Sequence, residues 1–102
     1  MEYIYIKSEH NQAHIDRFKK RLEAISLKEL VQAYNKEAKC GIVGVHMQAL
    51  YLIALRQEFK ERLAESPVYL LEHVLGLVGP IEVVDGHIRI VEWFWVAILE
   101  RI

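Results

Sequence analysis

The chain predicts an α+β fold: three amphipathic helices packed on a small antiparallel sheet that contains a C-terminal β-hairpin. Three observations carry this. Apolar residues recur at helical spacing through the first two thirds of the chain. An Asp85-Gly86 pair sits between two short alternating runs near the end. Finally, 102 residues with 53% apolar and 26% charged groups suit one globular domain with a single core.

The elements follow in order. Tyr3, Ile4, Tyr5 and Ile6 are aromatic and β-branched and suit a short strand that joins the sheet. Ser8 can cap the helix that follows. Ile15, Phe18, Leu22 and Ile25 form its apolar stripe, and Asp16, Arg17, Lys19, Lys20, Arg21 and Glu23 fill its other side. Ser26-Leu27-Lys28-Glu29 is a capping box that opens a second helix. Its apolar face is Leu27, Leu30, Val31, Tyr34 and Ala38, and Gly41 closes it. Gly41-Ile42-Val43-Gly44 is a connector. It lacks the Lys-Ser or Lys-Thr and third glycine of a phosphate-binding loop.

A third helix is expected from about Val45 to Ala64. Its first half is apolar nearly all round, which makes it the central element. Its second half points Leu55, Phe59 and Leu63 inward and sets Glu58 four residues before Arg62. Ser66-Pro67 reads as the start of a short helix over Val68 to Leu75, closed by Gly76, although the same residues would serve equally well in a strand. After Gly79-Pro80 the hairpin register is explicit. Val84 faces His87, Val83 faces Ile88, Glu82 faces Arg89, and Ile81 faces Ile90 across a type I′ turn. From about Glu92 a short terminal helix is expected, with a strand continuing through Trp95 as the alternative.

Net charge is −1, so no global field draws the chain to nucleic acid or to anionic lipid. One cysteine, Cys40, excludes an internal disulfide. Met1 to Lys7 lacks the basic start and apolar run of a secretory leader, and the longest apolar run, Gly41 to Leu55, is too short to span a bilayer. The expected compartment is the cytoplasm.

Chemistry-bearing residues are scattered. His10 and His14 share a helix face at the spacing of a zinc pair, without a third ligand nearby. Cys40 stands at a helix C-terminus, which disfavours the thiolate a nucleophile requires, and reads as a partly buried small apolar residue. His46 and His73 lie in apolar sequence and read as core histidines, each with one hydrogen-bond partner; His87 beside the turn reads as solvated. The Ser26–Leu55 stretch invites comparison with a helix-turn-helix. Its second helix, however, is too apolar for a wet groove, which leaves the Arg17, Lys19, Lys20, Arg21 face as the one route to phosphates. No catalytic, metal or cofactor-binding motif emerges.

The strongest functional signal is the segment Trp93-Phe94-Trp95-Val96-Ala97-Ile98-Leu99-Glu100-Arg101-Ile102. Each large apolar side chain left in water forfeits roughly 1.5–3 kcal/mol of burial. Interfaces favour such aromatic anchors. The expected function is therefore a non-enzymatic interaction module, most simply a homodimer or an accessory or regulatory subunit. Its contact residues would be Trp93, Phe94, Trp95, Ile98, Leu99 and Ile102. The alternatives are a small ligand-binding domain or enzyme built on His46, His73 or the tyrosines, and a nucleic-acid-associated regulator acting through the first helix.

Overall fold

A capping box, two glycine turns and one helix with an apolar first half set the architecture. The computed structural model describes residues 9–42, 46–72 and 74–91, with backbone alone for Glu9 and His10. The strand expected over Tyr3–Ile6, the Ser8 cap, His73 and the whole segment from Glu92, including its six expected contact residues, lie outside the described residues.

Helix α1 spans Glu9–Glu23, α2 Leu27–Cys40 and α3 His46–Leu63. The stripe on α1 packs as its spacing predicts, with Ile15 and Leu22 buried and Phe18 and Ile25 half-buried against the core. The capping box of α2 is complete. Ser26 Oγ accepts from the Glu29 amide at 3.1 Å, and Glu29 Oε1 accepts from the Ser26 amide at 3.2 Å. Gly41 ends α2 at φ +77°, and its N–H donates to the Glu37 carbonyl at 2.8 Å. Leu30 and Tyr34 of α2 are fully enclosed.

The central role of α3 is confirmed. Ala49, Leu50, Leu52, Ala54, Leu55 and Phe59 are all buried, so apolar contact surrounds most of the helix. It lies alongside α1 in the same direction: His46 meets Asn11 at one end, and Arg62 meets Leu22 and Ile25 at the other. No helix among the described residues is long and apolar enough to cross a membrane.

The strands form two separate two-stranded antiparallel sheets. Strand β1 (Val68–Leu71) pairs with β2 (Val74–Leu77), and β3 (Ile81–Val84) pairs with β4 (His87–Ile90). The β3–β4 register is the one read from the sequence, residue for residue, with Asp85 at φ 52° and Gly86 at φ 78° in the turn.

The short helix expected from Ser66-Pro67 through Leu75 does not form; β1 and β2 occupy that stretch. The local cap bond is present, with Ser66 Oγ accepting from the Val68 amide at 3.0 Å, but no helix follows it. Val68, Tyr69 and Val74 favour extended backbone, and antiparallel pairing of β1 with β2 supplies the hydrogen-bond partners. That pairing buries Val68 and Leu75 together. Gly76, expected as a helix cap, instead lies within β2.

Candidate interaction surface

Two side chains of α2 fix the hairpins. Tyr34 Oη donates to the Gly79 carbonyl at 2.8 Å, and the Pro67 carbonyl lies 3.4 Å away. One hydroxyl thus ties the residue before β1 to the residues leading into β3. Burial pushes that hydroxyl up to about 12, against the weaker opposing pull of its backbone contacts. The neighbouring Asn35 makes both of its amide contacts to one residue. Its Nδ2 donates to the Ile81 carbonyl and its Oδ1 accepts from the Ile81 amide, each at 2.8 Å. A side-chain amide here takes the place of a neighbouring strand.

The opposite edge of the same hairpin is met by Glu65, whose Oε1 accepts from the Ile88 amide at 2.5 Å. Both contacts follow from the turn. A two-residue turn between Val84 and His87 directs the polar groups of Ile81 and Ile88 outward, and a side chain meets each. Outward charges complete the design, with Arg89 Nε 3.5 Å from Glu82 Oε1 across the solvent face.

The β1–β2 hairpin is finished differently. Val68 and Leu75 turn inward, but Leu71 is 70% exposed, and Tyr69 and Leu70 are also exposed. The Tyr69 ring covers Gly76 on the facing strand. A Cβ at Gly76 would fall 2.1 Å from the ring, so only glycine lets the aromatic lie flat there. Between this hairpin and the end of α2 runs an open groove of about 490 Å³, lined by Ala38, Ile42, Tyr69, Leu75 and Leu77 among others. Its walls are apolar side chains and glycine backbone.

A second cluster is ionic. Lys19 Nζ lies 2.6 Å from Glu61 Oε2, 3.1 Å from Glu58 Oε1 and 3.3 Å from Glu23 Oε1. Arg62 Nε donates to Glu58 Oε2 at 2.6 Å, and its Nη2 donates to the Leu22 and Ile25 carbonyls at 2.7 and 2.9 Å. The guanidinium therefore closes the carbonyl end of α1 while neutralising a buried carboxylate. Glu58 Oε1 is buried and meets Lys19 off the axis of a hydrogen bond, so charge rather than direction holds that contact. Burial works against both ions. The three carboxylates nonetheless hold the Lys19 ammonium above its ordinary range, and Arg62 and Lys19 hold Glu58 below the usual carboxylate range. Glu23, Glu58 and Glu61 bring three carboxylate oxygens within 4.8 Å of one another. A cation already lies among them in the Lys19 ammonium. The cluster is a seam between α1 and α3.

The sequence placed Lys19 on the solvated face of α1; the structure turns it into this seam, because three glutamates outcompete water for one ammonium. Cys40 is exposed rather than partly buried, since it lies past the apolar stripe at the last turn of α2. His46 is exposed on the first turn of α3 rather than in the core, though it has the single partner expected of it, Asn11 Oδ1 at 2.8 Å. His14 is half-buried, with its Nδ1 enclosed and without a hydrogen bond. The side chain of His10, which lies at zinc-pair spacing from His14, is outside the described residues. His87 is exposed, 3.9 Å from Glu65. Among the described residues, no histidine lines the groove beside α2 or the smaller one between α2 and β3.

Comparison with protein-family models, curated proteins and solved structures finds no match for this chain. Function has therefore to be argued from the surface itself. Tyr34, Asn35 and Glu65 carried no motif. Gly76 inside an apolar run was the one legible hint of an aromatic cover.

Proposed function

We propose that the protein is a non-enzymatic interaction module that works as a homo-oligomer, most simply a homodimer, in an accessory or regulatory role. The observation that carries this reading is the run of exposed apolar side chains on strand β1. Leu71 is 70% exposed, Leu70 43% and Tyr69 40%, and Tyr69 also lines an apolar groove. Exposed apolar side chains grouped on one element mark contact sites in soluble proteins. The composition adds to it: Trp93, Phe94, Trp95, Ile98, Leu99 and Ile102 supply the aromatic and aliphatic anchors that interface cores favour. The ionic seam between α1 and α3 has a structural role in this reading.

Light scattering behind a sizing column tests the proposal over a concentration series of the full chain. The expected mass at micromolar concentration is twice the 12.0 kDa of one chain. A single 12.0 kDa species persisting at high micromolar concentration would overturn self-association.

A further inference from the structure

We infer that the groove between the end of α2 and the β1–β2 hairpin receives the C-terminal aromatic segment, residues 93–102, of a second copy of this chain. The inference rests on the self-association reading and adds the contact that would produce it. The place where the chain leaves the body is the first argument. The Val91 amide donates to the Pro80 carbonyl at 2.8 Å, and Gly79, the residue before Pro80, lines the groove. Val91, the last described residue before the segment, is thus bonded to the neighbour of a groove-lining residue. Two copies related by a two-fold axis through the rim of the groove present each segment to the other's groove, and such an arrangement closes on itself.

Capacity is the second argument. A groove of about 490 Å³ has the volume of a single small-ligand site. The segment carries six large apolar contact residues, and its ten residues extend to about 33–36 Å. One groove shelters only part of that load. The exposed Tyr69, Leu70 and Leu71 of the opposing copy provide the remaining apolar surface.

Area is the third. Aromatic side chains bury about 150–250 Å² each, so the three rings of two exchanged segments remove about 900–1,500 Å² from water. Aliphatic neighbours and the groove walls add to this. A stable interface of standard size buries about 1,200–2,000 Å². The exchanged segments reach that range without recruiting the helical face of the protein.

Both tryptophans of the chain lie in this segment, so intrinsic emission reports its shelter directly. The full chain should emit at short wavelength when concentrated and shift to the red on dilution, in step with the fall in mass. Ala38→Arg puts a long charged side chain into the groove from the surface of α2. It should give a monomer with red-shifted emission at every concentration, and circular dichroism should show the fold intact. Trp93→Ser/Trp95→Ser should also be monomeric and gives a second route should the groove variant fail to fold. Mixing the two variants should restore dimer mass, because one intact segment then meets one intact groove. Blue emission that survives both dilution and Ala38→Arg would show the segment sheltered within its own protomer and overturn the inference. A dimer unaffected by Ala38→Arg, or variants that fail to complement, would overturn it while leaving self-association standing. A wild-type chain that is always 12.0 kDa would sink both.

Discussion

Two hairpins of equal length in one small protein are finished in opposite ways. On β3–β4 the outward residues are Glu82, Val84, His87 and Arg89, and each edge is met by a side chain, Asn35 on one and Glu65 on the other. On β1–β2 the outward positions include Tyr69, Leu70 and Leu71. An edge strand with uncapped polar groups invites unwanted pairing, and charges with side-chain caps suppress it. The first hairpin is insulated in this manner. The second presents three consecutive apolar side chains, whereas on the first the exposed Val84 and Ile90 are set among Glu82, His87 and Arg89. One hairpin is insulated and the other exposed, and under the proposed function the exposed one would make the contact.

The largest stability change should come from the insulated hairpin. Asn35→Leu removes both partners of Ile81, which is only 2% exposed. Each buried group left unsatisfied costs about 1–3 kcal/mol, so a loss of about 2–4 kcal/mol is expected in urea unfolding. A loss below about 1 kcal/mol would mean that water replaces the amide and that the edge is not sealed.

The turns extend the contrast. Gly86 sits at φ 78° and Glu72 at φ 48°, so each hairpin requires the left-handed region, but only the first supplies glycine there. Gly86→Val should destabilise by about 1–3 kcal/mol, since a β-branched residue resists positive φ. An unchanged melting temperature would contradict the type I′ turn. Glu72→Asn should do the reverse and add about 0.5–1 kcal/mol, because asparagine tolerates that region better than glutamate. A thermal melt showing Glu72→Asn no more stable than wild type would indicate that a contact of the carboxylate outweighs the backbone strain.

The same contrast explains what could be read in the chain before its structure. Asp85-Gly86 announces a turn and fixes four cross-strand pairs, so β3–β4 was legible down to its Glu82–Arg89 ion pair. Glu72-His73 carries no such signal, and Ser66-Pro67 carries a false one, whose cap bond forms without a helix behind it. Helical periodicity located all three helices, and the capping box fixed the start of α2. The bond from Glu58 to Arg62 followed from their spacing, but its burial against α1 did not, because Lys19 meets it from a distant part of the chain. The contacts of Asn35 and Tyr34 likewise join residues about forty-five positions apart, where no local pattern points. For the candidate surface, the excess of apolar residues was plain in the sequence. The location of the exposed hairpin face was hidden by the helix read over Val68–Leu75.

The smallest stability effect should fall on the exposed hairpin, and it is the most informative about function. Leu71 is 70% exposed, so Leu71→Ser removes little burial and should leave the unfolding free energy within about 0.5 kcal/mol of wild type when measured on the monomer. If Leu71 contributes to contact between copies, the same substitution should weaken association by about 1–2 kcal/mol, a five- to thirtyfold rise in the dissociation constant by dilution-dependent light scattering. Stability unchanged with association weakened assigns the residue to an interface. A loss of stability in the monomer with association intact would instead place Leu71 in the fold of the hairpin, and the division between an insulated and a contact-making hairpin would no longer hold.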